Sequence, residues 1–245
     1  MIVGGFRPVV SCIMATHNRR SFLKMAVECF SRQTYFDAEL IVVDDGEADS
    51  KDLCLGCERV TYVRLHHRTN LGQKLNIGIQ QARGDLIQKL DDDDYYAPQF
   101  LETAVAPFLY GEANPERSLV AWDCFALLLR GRPPLRFSGH GWCAGGTFCF
   151  SRHLCAHGPF RDVPRNVDWF FLRDHSPEII ATCAPDLYML VRHGRNTWSI
   201  QNSGESVDES IEKRPTNIRG LGDIVNADQY AFYESLLLGS AELDW

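Results

Sequence analysis

Apolar and polar positions fall into short blocks along the chain. Residues 8–14 (PVVSCIM) are apolar and β-branched and predict a first strand. A polar turn follows, Ala15-Thr16-His17-Asn18-Arg19, with Asn18 as the expected N-cap of a helix. In that helix Phe22, Ala26 and Phe30 recur at helical spacing, as do Leu23 and Val27. Residues 39–43 (ELIVV) predict a second strand, cut off by Asp44-Asp45-Gly46, and residues 60–65 (VTYVRL) a third. Leu75, Ile79 and Ala82 mark one face of a helix over about 72–83, with Gly84 placed to end it. Residues 85–90 (DLIQKL) read as a fourth strand, stopped by Asp91-Asp92-Asp93-Asp94, and Pro98 opens a helix whose apolar positions run over 100–109.

This strand–helix alternation implies an α/β fold, a mostly parallel sheet flanked by helices. The second half is less regular. Residues 119–129 predict one or two buried strands, 130–134 a turn, 139–146 (GHGWCAGG) a glycine-rich loop and 147–150 a short strand. Two more strands are expected over 178–183 and 187–193, and an amphipathic helix over 227–238. With no repeat, low-complexity tract or linker, residues 1–245 read as a single domain.

Composition narrows the function. A hydrophobic share of 45% supports a sizeable core, and a net charge of −7 argues against a nucleic-acid binder. No run approaches the ~18 apolar residues of a membrane span, and the first seven residues are too short for a signal peptide. The expected location is the cytoplasm, with a peripheral membrane contact left open. The nine cysteines form no regular framework and are expected to be reduced. Cys54 and Cys57, with His66 and His67, lack a second pair at zinc-ligand spacing and read as a surface loop.

The chemistry gathers at strand ends, where open α/β sheets bind their ligands. Strand one ends in Thr16-His17-Asn18-Arg19, strand two in Asp44-Asp45, and strand four in the aspartates at 91–94. Clustered carboxylates repel one another, and a hard divalent cation, Mg²⁺ or Mn²⁺, is a natural compensation that leaves positions for substrate phosphates. An aspartate run before a helix also serves as a cap. No glycine fingerprint for dinucleotides and no P-loop is present. Phosphate is then left to metal and side chains, with Lys74 and Arg19 either as helpers or as solvated helix charges.

Taken together, residues 10–19 (VSCIMATHNR), 41–46 (IVVDDG), 70–76 (NLGQKLN), 82–85 (ARGD) and 90–95 (LDDDDY) resemble the family 2 glycosyltransferases of GT-A (Rossmann-like) fold, in order and spacing, over about the first 105 residues. Residues 166–171 (NVDWFF) and 191–198 (VRHGRNTW) are similar to later motifs of that family. The resemblance implies an inverting, metal-dependent transfer of sugar from a nucleoside-diphosphate sugar, UDP favoured, to an acceptor hydroxyl. It makes 1–105 the donor half and 106–245 the acceptor side with a C-terminal helix. Thr16 with the turn at Asn18 and Arg19 then lines the nucleotide pocket, and Asp44 or Asp45 binds base or ribose. Asp91 contacts ribose or metal and Asp93 ligates metal, with Asp92 and Asp94 as alternates of register. Asp168 falls at the catalytic base, although the residue before it, acidic in the family, is Val167 here. His193 matches a further metal ligand and is equally a strand-end histidine. Trp142 and Trp169 either stack on carbohydrate or pack in the core, and residues 202–206 are a candidate flap. The acceptor, whether glycan, lipid-linked sugar, protein or small molecule, is left open, as is the oligomeric state. Two alternatives stand beside this: a noncatalytic nucleotide-sugar-binding protein, and a sugar-nucleotidyltransferase, disfavoured by the absence of glycine after strand one.

Overall fold

The computed structural model describes residues 7–156, 158–196, 215–216 and 219–243. Its centre is a seven-stranded sheet in the order β10-β6-β9-β4-β1-β2-β3. These strands are β1 (Val10–Thr16), β2 (Ala38–Asp44), β3 (Val60–Arg64), β4 (Leu86–Asp91), β6 (Ser118–Cys124), β9 (Cys149–Ser151) and β10 (Glu178–Cys183). All neighbours run parallel except β9, which lies antiparallel between β4 and β6. A smaller sheet, β5-β11-β7-β8, is built from β5 (Tyr95–Tyr96), β7 (Ala126–Leu129), β8 (Arg136–Phe137) and β11 (Tyr188–Arg192).

The two-residue period of the strands splits the core into layers. Along β1, Val10, Cys12 and Met14 face one cluster and Ile13 the other. In β2, Leu40 and Val42 oppose Ile41 and Val43, and in β6, Val120 and Trp122 oppose Leu119 and Ala121. On the first face pack α1 (Arg20–Ser31), α3 (Phe100–Leu109) and the last helix, α6 (Ala227–Leu238), through Phe22, Phe100 and Tyr233. On the second pack α2 (Leu71–Gln81), α4 (Arg152–Ala156) and α5 (Val167–His175), through Leu75, Leu154 and Phe171. Strands buried on both faces explain why the sequence shows unbroken apolar runs rather than alternation.

Three expectations need correction. Asn18 does not cap α1: it adopts a left-handed conformation (φ 49°) and its Oδ1 accepts from Glu47 N at 2.7 Å, tying the turn after β1 to the turn after β2. Arg19 occupies the N-cap position without a side-chain cap. Gly84 does not end α2, which closes at Ala82 in extended conformation. Gly84 is required because a Cβ there would lie 2.6 Å from Ser11 N and Val9 O. Nor are all cysteines reduced: Cys124 and Cys183 are joined by a disulfide, while Cys12, Cys29, Cys54, Cys57, Cys143, Cys149 and Cys155 are free thiols. The two joined residues are 59 apart in sequence, but β6 and β10 are neighbours and bring their Cα atoms to 4.5 Å. Among the described residues no helix is long and apolar enough to cross a membrane.

Candidate active site

The parallel register aligns the polar strand ends. Thr16 pairs with Asp44 across β1 and β2, and Ala15 with Asp91 across β1 and β4. The β2 end is already committed to protein donors. Asp44 accepts from Gly46 N and Tyr62 Oη, both at 2.7 Å. Asp45 accepts from Thr69 N at 2.7 Å and Lys74 Nζ at 2.8 Å, and lies 3.0 Å from His17 Nδ1. Burial works to raise the Asp45 pKa, but the hydrogen bonds from Lys74 and Thr69 N outweigh it and leave it lowered. Lys74 also donates to Thr16 O at 2.9 Å, so this buried ammonium stitches the β1 and β2 ends together.

The four aspartates take four different roles. Asp94 is turned inward and accepts from Tyr188 Oη and from Val191 N, which anchors the small sheet to β4. Asp92 accepts from Thr16 Oγ1 at 2.7 Å and from Arg19 Nη1 at 2.9 Å. Asp93 Oδ2 accepts from Arg19 Nη1 at 2.8 Å and Asn196 Nδ2 at 3.1 Å, with His193 Nε2 at 3.0 Å. Burial pushes the Asp93 carboxyl up, yet the Arg19 charge and the His193 hydrogen bond hold it below the usual carboxylate range. Asp91 keeps 36% of its side chain exposed, while its Oδ1 packs on Lys89 Nζ at 2.7 Å. Burial raises its carboxyl, Lys89 opposes this, Asp168 and Asp93 raise it again, and it is pushed up to about 6.

Asp168 lies in the first turn of α5, whose Val167 is sunk in the core. Its Oδ1 is buried without a hydrogen bond, and Lys89 Nζ stands 3.4 Å away. Lys89 therefore bridges Asp91 and Asp168 from within β4. Burial works to lower the Lys89 pKa, but the Asp168 and Asp91 charges hold it raised. Beneath them runs the turn Gly145–Thr147. A Cβ on Gly145 would fall 2.1 Å from Asp168 Oδ2, and one on Gly146 2.8 Å from Asp91 Oδ2. These two glycines let both carboxylates settle onto the backbone.

Thr16, Arg19, Asp92, Asp93 and His193 thus form one hydrogen-bonded group, with Asp91, Lys89 and Asp168 beside it. The ligand atoms of Asp91, Asp93 and His193 do not gather around one point as they stand; among the described residues only Cys124, His140 and Cys183 do so. Trp142 is partly buried, its ring 5.3 Å from that of Phe125, whereas Trp169 is 57% exposed with the Arg173 guanidinium 4.8 Å over its ring. Trp198 and residues 202–206 lie outside the described residues. Sequence reasoning passed over Lys89, Asn196 and the roles of Gly145 and Gly146. The available signal for Lys89 was a lysine inside an otherwise buried strand.

Residues 11–114 match the profile described as Glycosyl transferase family 2. That stretch is similar to the family and makes up less than half of the chain. A Streptococcus pneumoniae protein, glycosyltransferase GlyG, is 34% identical over 100 residues, covering 39% of this chain and 33% of its own length. An uncharacterized glycosyltransferase of Haemophilus influenzae is 34% identical over 100 residues, covering 39% and 40% respectively. The chain thus spans well under half the length of these relatives. The matched stretch holds Thr16, Lys89 and the four aspartates, while Asp168 and His193 lie beyond it. The mannosyltransferase PcManGT of Pyrobaculum calidifontis, solved with GDP-Man and Mn²⁺, superimposes with a TM-score of 0.56 at 20% identity, covering 76% of this chain and 57% of that one. TarS 1-349 of S. aureus, solved in complex with UDP, gives 0.57 at 16% identity, covering 75% and 60%. At such identities the likeness shows the fold, which is GT-A.

Proposed function

We propose that this chain is a glycosyltransferase that moves a sugar from a nucleoside-diphosphate sugar, UDP favoured, to an acceptor hydroxyl, inverting C1 and depending on Mn²⁺ or Mg²⁺. The observation that carries the reading is the meeting of Asp168, Lys89 and Asp91 at the strand edge where the family 2 stretch ends its β1, β2 and β4. The UDP bound to TarS and the GDP-Man and Mn²⁺ bound to PcManGT, on the same fold, support a nucleotide-sugar donor and a divalent cation.

The donor set fits a hard cation. Arg19 and Lys89 leave a surplus of negative charge, seen in the raised pKa values of Asp91, Asp92 and Asp94, which burial and neighbouring carboxylates cause. Asp91 and Asp93 would hold the ion, and His193, already against Asp93, is the further ligand. When bound, the ion neutralises charge on the departing diphosphate as a Lewis acid.

The chain's own groups do the rest. Thr16 and Arg19 fix the Asp92 carboxylate at the donor pocket, and Lys74 holds the β1 and β2 ends in register. Asp44 and Asp45 shape the base side through the turns they bind. Lys89 holds Asp168 Oδ1, and Asp168 Oδ2 takes the acceptor's proton. The acceptor oxygen then bonds to C1 while the bond from C1 to the diphosphate breaks on the opposite face, its electron pair leaving with the diphosphate. One displacement inverts C1. The exposed ring of Trp169 beside Asp168 offers a stacking face for the acceptor, and Trp142 supports that side from Phe125. A single domain acting in the cytoplasm, with or without a peripheral membrane contact, belongs to the same reading.

The test is a thermal-shift panel of UDP, GDP, CDP and dTDP with and without Mn²⁺. A ligand that binds only the folded state raises Tm. One nucleotide is expected to stabilise the protein only with metal, and Asp93→Ala to abolish that shift. Asp168→Asn is expected to keep the shift and to lose transfer. Full transfer in Asp168→Asn would remove Asp168 as the base, and no shift with any nucleotide in folded protein would overturn the donor assignment.

A further inference from the structure

Away from the aspartates, the ends of β6 and β10 carry a second cluster. Cys124 Sγ, Cys183 Sγ and a ring nitrogen of His140 lie within 4.8 Å of one another. His140 belongs to the glycine-rich loop 139–146, and its Nδ1 stands 3.0 Å from Asp123 Oδ2. With Nδ1 against the Asp123 carboxylate, Nε2 is the ring nitrogen left to serve as a ligand, the arrangement in which a carboxylate fixes a metal-binding histidine.

We propose that Cys124, Cys183 and His140 form a zinc site in the reduced protein, and that the Cys124–Cys183 disulfide is the oxidised form of the same two sulfurs. Thiolate and imidazole donors select Zn²⁺, in contrast to the all-oxygen preference of Mg²⁺. As zinc binds, each thiol loses its proton to water and two Zn–S bonds form. No electron moves, and the two thiolates balance the ion's charge. His140 Nε2 is the third ligand and water the fourth. Cys143, three residues beyond His140, stays outside the group.

The site's place in the fold gives it a task. The loop is rooted on β6 by Phe125 N donating to Ser138 Oγ at 2.8 Å and Ala144 N donating to Trp122 O at 2.9 Å. His140 ties its outer part to the strand ends, and its far end carries Gly145 and Gly146 under Asp168 and Asp91. Zinc would fasten this loop to two neighbouring strands. The inference does not depend on glycosyl transfer, because its readout is metal content.

The test uses the full chain, oxidised or treated with a phosphine. The phosphine becomes its oxide with oxygen from water, and the disulfide takes two electrons and two protons to give two thiols. Co²⁺ then serves as the optical probe, since only thiolate ligation yields sulfur-to-metal charge-transfer absorption. Zinc is counted by elemental analysis after gel filtration, in an Asp93→Ala background that disables the carboxylate site. Reduced protein is expected to hold one zinc and to show the cobalt band, and oxidised protein neither. Cys183→Ser should lose both, Cys143→Ser should keep both, and Asp123→Asn should weaken zinc binding by about 10–100-fold. Circular dichroism checks that each variant is folded. Folded, reduced protein without the cobalt band overturns the proposal, as does a Cys183→Ser variant that retains it. A disulfide that survives phosphine in the folded chain overturns it too.

Discussion

Lys89 is an ammonium group held out of water in the middle of a sheet, and such a charge persists only where partners compensate it. Its partners are the Asp91 and Asp168 carboxylates, at 2.7 and 3.4 Å. Lys89→Met keeps an unbranched side chain one atom shorter and leaves two carboxylates facing each other without a cation. Breaking a fully buried pair costs about 3–5 kcal/mol. Asp91 and Asp168 keep 36% and 34% of their side chains in water, so the expected loss at pH 7.5 is smaller, about 1–3 kcal/mol. Protonation of Asp91 relieves the repulsion, and the stability gap to the parent protein should narrow at pH 5.5. Urea unfolding at the two pH values measures it, and a gap that stays equal or widens refutes the bridging role. On the proposed function, turnover should fall much further than donor affinity, because Lys89 holds the base.

At the scale of elements, the glycines separate packing from chemistry. Gly72, in the first turn of α2, leaves no room for a side chain: a Cβ there would stand 1.8 Å from Arg161 O. Backbone must move to admit it, so Gly72→Ala should destabilise the fold by about 1–3 kcal/mol, read as a lower urea midpoint. At Gly145 the obstruction is the Asp168 carboxylate, a side chain that can swing outward. Gly145→Ala should therefore leave the urea midpoint nearly unchanged, keep nucleotide-dependent stabilisation and lower transfer at least about tenfold. Equal destabilisation by the two substitutions would show that the 145–147 turn is only a packing element. The contrast also marks what could be read from the chain. Strands β1 to β4 and helices α1 to α3 were legible from local signals, short runs rich in apolar residues for the strands and apolar positions at helical spacing for the helices. The antiparallel insertion of β9, the two-residue strands β5 and β8, and the β6–β10 cysteine pair arise from contacts far apart in sequence. The aspartates announced themselves by their number, whereas Lys89 and the paired glycines gained meaning only once α5 had brought Asp168 over them.

Across the whole molecule the net charge is −7, and several carboxylates gather at the edge where β1, β2 and β4 end. Folding brings Asp91, Asp92 and Asp93 together there, with Arg19 and Lys89 as the cations in direct contact. This burial and crowding push the Asp91 carboxyl up to about 6. The sign follows from competition between proton and metal. Above that pKa Asp91 is ionised and available to a cation; below it, a proton occupies the same oxygen and must be released before the metal binds. From the Asp91 proton alone, the apparent affinity for Mn²⁺ should weaken at least about tenfold between pH 7 and 5. Asp93, held below the usual carboxylate range by Arg19 and His193, adds no second proton in that window. Manganese titrations followed by electron paramagnetic resonance measure the free ion directly across this range. Asp91→Asn should weaken binding at pH 7 and flatten the profile, since it removes the group that titrates. An unchanged tenfold fall in that variant would move the titration elsewhere and take Asp91 out of the metal site.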